Sequence, residues 1–124
     1  LYTDDGLNLI ERPQYDYLEL VPGNYYPAIS HAFISDFHPH APLHVLLAHS
    51  LGVGNLDSAV EFKLHRRLAQ DDEQGLDSAV QDVKHHITRM WLVLGDSQLA
   101  AARARTRLNA PVTAFLLENV EDAQ

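Results

Sequence analysis

The sequence predicts an all-β chain, an antiparallel β-sandwich with one short late helix. Three observations carry this. Short apolar segments recur throughout, each cut off by proline or glycine. The stretch from Val60 to His65 alternates cleanly, with Val60, Phe62 and Leu64 on one side and Glu61, Lys63 and His65 on the other. Only one run, Gln98 to Leu108, is rich in the alanine and arginine that favour helix.

Taken in order, Leu7 to Ile10 and Tyr15 to Val21 read as strands separated by Pro13, and Pro22-Gly23-Asn24 reads as a turn. Tyr25 to Ser35 is extended and rich in aromatic and β-branched residues. A loop with two prolines follows, Asp36 to Pro42, and then a short apolar strand, Leu43 to His49. Leu51 to Asn55, with glycines at 52 and 54, reads as a turn. The alternating strand at Val60 to His65 is expected to pair with His86 to Leu94. That segment is apolar on both faces, which predicts a central position. Asp96 or Ser97 can cap the helix, and Asn109 and Pro111 can end it. Val112 to Leu117 returns to strand, before an acidic end. About seven strands and one helix form one β-rich domain over residues 1–124.

The charge balance bears on partners. Nine Lys and Arg face 17 Asp and Glu, for a net charge of −8, which argues against nucleic acid, whose phosphates require a basic face. Eight histidines would cancel that charge if all were protonated, so the chain responds strongly to mild acid and would suit an acidic compartment. There is no cysteine, hence no disulfide and no thiolate chemistry. No run approaches the roughly 20 apolar residues of a membrane span. The chain begins at Leu1 rather than at a methionine, as a piece of a longer polypeptide would.

Candidate chemistry is sparse. His38, His40, His44 and His49 could suggest a metal site. Pro39 spoils strand geometry between the first two, and the last two are five apart and face opposite ways on a regular strand. With no cysteine to complete a zinc site, these read as solvated loop histidines. His85 and His86 are adjacent and cannot chelate together. Asp4-Asp5 reads as a solvated turn, because neighbouring carboxylates diverge and make a poor catalytic pair. Gly52-Val53-Gly54 lacks the third glycine and the helix of a nucleotide fingerprint.

One corner concentrates charge of both signs. Arg66 and Arg67 close the alternating strand, and Asp71 and Asp72 follow a few residues later. An Arg–Asp brace pinning a loop to the sheet is the plainer reading. The functional reading is that one arginine, held by an aspartate, is offered to a hydroxyl-rich or anionic ligand that fits its rigid fork of donors.

Four blocks, "YTDDGLNLIERP", "VPGNYYPAISHAFISD", "LGVGNLDSAVEFKLHRRLAQDDEQGL" and "LNAPVTAFLL", follow one another in an order that resembles the α-mannosidases of glycoside hydrolase family 38, lysosomal and Golgi type II enzymes included. The most specific pieces are Asn24-Tyr25-Tyr26-Pro27 with the stretch to Asp36, and His65-Arg66-Arg67-Leu68 with Asp71-Asp72 and Gly75. Two departures stand out. Gln74 occupies the place before glycine where the family usually has arginine, removing a charge partner. The Tyr2 to Gly6 stretch is one residue shorter than the usual Tyr-Thr-Asp-x-Asn-Gly.

The resemblance implies part of the C-terminal β region of a zinc-dependent, retaining α-mannosidase, within a larger β super-sandwich. Zinc ligands and nucleophile belong to that family's N-terminal catalytic domain, so no catalytic or metal-binding residue and no bound cofactor is expected on this stretch, which would be inert alone. Arg66 or Arg67 is expected to wall the sugar pocket, with Asp71 and Asp72 supporting the loop. Implied partners are the N-terminal catalytic domain of the same enzyme and mannose-containing glycans. The implied location is the secretory pathway or the lysosomal or vacuolar lumen. The alternative is a free-standing β-sandwich that binds carbohydrate or protein.

Overall fold

A computed structural model describes residues 1–16, 23–38, 41–56, 59–65 and 83–114. These form eight strands and one helix: β1 (Tyr2–Asp4), β2 (Leu9–Glu11), β3 (Tyr25–Ala28), β4 (His31–Ile34), β5 (Leu43–Leu47), β6 (Leu51–Leu56), β7 (Ala59–Lys63), β8 (Met90–Leu94) and α1 (Gln98–Asn109). A five-stranded sheet has the order β2-β1-β4-β5-β8, and a three-stranded sheet has the order β3-β6-β7. All pairings are antiparallel. The predicted sandwich with a late helix is therefore the observed architecture.

The alternation of side chains across β5 builds three layers. Leu43, Val45 and Leu47 face the smaller sheet and join Ala28, Ala32, Leu51 and Val53 in the main core, with Val60, Phe62 and Met90 packed around them. Leu46 faces the opposite way, into a second cluster with Ala101 and Leu108 of α1. Every residue of β5 is buried, so this strand, flanked by β4 and β8, is covered on both faces as was expected of the 86–94 segment.

Chain proximity decides the pairing of β7. The strand starts at Ala59, just after β6 ends at Leu56, and the two form an antiparallel pair with Val53 opposite Phe62. The expected partnership of β7 with His86 to Leu94 does not form. β8 pairs instead with β5 and ends the larger sheet among the described residues. β6 itself lies where the glycines predict a turn. Leu51 and Val53 point into the core, while Gly52 and Gly54 sit on the outer face, each under a side chain of a neighbouring strand. A Cβ on Gly54 would come within 2.8 Å of the Tyr25 ring. Gly54 makes room for the Tyr25 ring, and both glycines lie within a strand, not in a turn.

The predicted continuous stretch from Tyr25 to Ser35 is two strands in different sheets, broken at Ile29 and Ser30. β1 appears where no strand is expected. Tyr15 and Asp16 are not strand, and the rest of the expected strand, 17–21, lies outside the described residues. Residues 112–114 are irregular, and the remainder of that predicted strand also lies outside. The helix falls where its caps place it. The Ser97 side chain accepts from Ala100 N–H at 3.2 Å, and the Ala110 N–H closes the last turn on the Thr106 carbonyl.

Candidate functional site

The outer face of the smaller sheet carries the described chain as far as His65, the residue before Arg66 in the sequence. Tyr25, Gly54 and Glu61 lie side by side across β3, β6 and β7, as do Pro27, Gly52 and Lys63. With only hydrogen on Gly54, the Tyr25 ring lies flat across β6 and reaches Glu61, to whose carboxylate its hydroxyl donates. That bond raises the Tyr25 phenol above its ordinary pKa. The Lys63 ammonium sits 4.3 Å from the centre of the same ring, in cation–π range.

Beside this row opens a shallow cleft of about 670 Å³, whose lining includes Tyr25, His49, Lys63, His65 and His86. Among the described residues no carboxylate lines it, although the chain as a whole is strongly acidic. His86 meets His49 with their rings edge to face, centres 5.2 Å apart, and stacks on His65 at 5.7 Å. Three histidines far apart in sequence are thus gathered by β5, β7 and the approach to β8. An aromatic ring and nitrogen donors beside an open cleft can bind a polar, hydroxyl-bearing ligand.

Two polar networks hold the scaffold behind this face. In the first, Arg12 Nε donates to Thr3 Oγ1 at 2.7 Å, and Thr3 donates onward to the Pro27 carbonyl at 2.8 Å, joining the two sheets. Asn24, in the left-handed region at φ 62°, clasps the Tyr15 backbone through both its side-chain oxygen and nitrogen.

The second network centres on Asp4, which is 2% exposed. Its Oδ1 accepts from the backbone N–H groups of Ile29, Ser30 and His31 at 2.9, 2.8 and 2.8 Å, and its Oδ2 accepts from the Ser30 hydroxyl at 2.7 Å. Arg105 of α1 lies 3.8 Å from Oδ2. Burial pushes this carboxyl upward, but the hydrogen bonds outweigh it and hold Asp4 below its ordinary value. Asp4 is therefore not the solvated turn residue expected. Asp5 is, with Oδ1 accepting from the N–H groups of Leu7 and Asn8.

His44 also departs from expectation. It is fully buried on β5, not a solvated loop residue, and its Nδ1 lies 2.9 Å from His31 Nε2. His44 Nε2 has no hydrogen-bond partner among the described residues. Burial disfavours the charged form of both rings and, with His44 and Arg105 nearby, brings His31 down to about 4 despite the attraction of Asp4.

Arg66, Arg67, Asp71 and Asp72 lie outside the described residues, as does His40. The described chain reaches as far as His65, on the cleft wall. Among the described residues no three His, Asp or Glu side chains are disposed to hold a metal ion. The cross-strand meeting of His49, His65 and His86 escaped sequence reasoning. Its only trace is the alternation that puts His65 on the same side of the strand as Lys63 and Glu61.

No protein-family model matches the chain. Individual proteins do. Alpha-mannosidase 2 of Drosophila melanogaster is 43% identical over 95 residues, covering 73% of this chain and 8% of that protein. Alpha-mannosidase 2 of Arabidopsis thaliana is 34% identical over 110 residues, covering 87% and 9% respectively. The lysosomal alpha-mannosidase of Bos taurus is 35% identical over 123 residues, covering 88% and 12%. The chain spans only 8% to 12% of the length of these relatives. By these matches the chain belongs to the α-mannosidase family, of which it represents a short stretch.

Proposed function

We propose that this chain is a wall of the sugar pocket in an α-mannosidase, within the C-terminal β region of a zinc-dependent enzyme that hydrolyses terminal α-mannosides with retention. The observation that carries this is identity of 34% to 43% with α-mannosidases over most of the chain. In sequence Arg66 and Arg67 directly follow His65, which lines the cleft. One arginine then faces the mannoside and offers paired N–H donors to adjacent sugar hydroxyls. Asp71 and Asp72 brace the loop by accepting from the arginines.

Zinc would bind outside this stretch, in the N-terminal catalytic domain, and would supply Lewis-acid contact to the sugar when bound. That domain and mannose-containing glycans are the partners proposed. The stretch alone does not hydrolyse. A lysosomal or secretory lumen is the proposed setting, because several relatives carry the name lysosomal alpha-mannosidase.

The full-length protein should release mannose from an aryl α-mannoside, with the α-anomer appearing first by NMR. Activity should fall on zinc chelation and return with added zinc. A correctly folded full-length protein with no such hydrolysis, or one releasing the β-anomer first, would sink this reading.

A further inference from the structure

We propose that His49 and His86 form a two-histidine seat for a divalent transition-metal ion such as Zn²⁺, Ni²⁺ or Cu²⁺, with His65 as the imidazole next to it. The seat is independent of the mannosidase reading. Its evidence is a contrast between two histidine pairs in one molecule. The buried pair, His31 and His44, is joined at 2.9 Å, an ordinary hydrogen-bond length. His49 Nε2 and His86 Nε2 face each other at 3.4 Å, which is long for a hydrogen bond. It matches the separation of two ligand nitrogens that each lie about 2.0–2.1 Å from a tetrahedrally coordinated metal, where it works out at about 3.3–3.4 Å.

The backbone prepares this approach. The Ala48 N–H donates to the Arg89 carbonyl at 3.1 Å, tying the end of β5 to the entry of β8 and fixing the two segments that carry the histidines. Both rings line the open cleft, so an ion can enter from solvent and water can fill its remaining positions. His65 stacks on His86 with ring centres 5.7 Å apart and helps to hold that ring in place. Imidazole nitrogens, the ligands of this seat, suit borderline transition metals better than Mg²⁺ and Ca²⁺, which take oxygen ligands. The sequence reading expects no metal on this chain because it weighs histidines by spacing along the chain. His49 and His86 are 37 positions apart and meet only in the fold.

The test uses the full-length protein, stripped with chelator and titrated with Cu²⁺ or Ni²⁺ at pH 7.5 by calorimetry. Wild type should bind one equivalent more than His49→Asn or His86→Asn, or bind that equivalent at least about tenfold more tightly. His65→Asn should weaken it less. Equal stoichiometry and affinity in wild type and in both variants would overturn the proposal. Electron paramagnetic resonance of the Cu²⁺-loaded wild type gives a readout that needs no variant. Coupling to at least two imidazole nitrogens is expected at the additional ion, and its absence would contradict the seat.

Discussion

Asp4 shows how much one side chain decides here. It ties the corner between β3 and β4 with three backbone N–H groups, and that corner is where the chain crosses from one sheet to the other. Removing the carboxylate takes this acceptor from all three groups, of which the Ile29 N–H keeps a 3.4 Å contact to the Asp4 backbone carbonyl. Asp4→Ala should therefore cost about 3 kcal/mol of unfolding free energy, and Asp4→Asn, which keeps one oxygen for the three N–H groups, clearly less. Denaturant titration of the two variants checks the order, and equal losses would mean that the charge and not the acceptor matters. Sequence reasoning treats Asp4 and Asp5 alike, because adjacency reveals nothing about depth. They differ because β1 points Asp4 toward α1 while Asp5 begins the turn after the strand. The blocks "YTDDGLNLIERP" and "VPGNYYPAISHAFISD" that carry the family resemblance are the ones this network joins, through Asp4 and Ser30 and through Thr3 and Pro27. Arg66 and Arg67 stand out in the sequence as a cluster of charge and lie outside the described residues. Alternation along a strand does not fix which of them would face a ligand.

At the scale of elements, the contact between α1 and the larger sheet carries a titration. His31 and His44 share one hydrogen bond beneath the helix, with Asp4 from β1 and Arg105 from α1 as the charged groups facing them. One ring must offer a lone pair to the other, so a second proton on the pair abolishes the bond. His31 has its folded-state value lowered from 6.5 to about 4, so the unfolded chain binds more protons between those limits. Stability is then full above about pH 6.5 and declines as pH falls toward 4, by an amount on the order of 3 kcal/mol from this ring. The fall in unfolding free energy across that window should flatten in His31→Gln. An unchanged slope would show that other groups set it. The histidine count, which suits an acidic compartment at first sight, therefore includes a pair that weakens the fold in acid. The helix itself was legible, since Ser97 and the Ala-rich run act locally. β6 was not, because glycines at 52 and 54 carry the composition of a turn while serving as the floor under Tyr25 and Lys63.

For the whole molecule, the informative surface is β8. Trp91, Leu92 and Leu94 are 42%, 68% and 65% exposed on the strand that ends the larger sheet among the described residues. Apolar residues on both faces predict a covered central strand, whereas among the described residues β8 pairs only with β5 and leaves these side chains exposed. This fits a chain that spans about a tenth of its relatives' length. The isolated 124-residue chain should bind an apolar dye strongly and self-associate, whereas the full-length protein should do neither. A monomeric, dye-silent chain with sharp reversible melting would show that β8 needs no cover. The sandwich and its helix could be read from period and turns, but the pairing of strands and the layer each histidine occupies could not, since both depend on contacts between segments far apart in sequence.

The central claim is that this stretch walls the pocket through its paired arginines. Steady-state hydrolysis of an aryl α-mannoside by the full-length protein tests it, with Arg66→Ala and Arg67→Ala compared against wild type at matched stability. One variant should lose about tenfold or more in kcat/KM, the scale of a lost charge-assisted hydrogen bond to the sugar, while the other loses much less. Full activity in both variants, with both folded, would contradict the account.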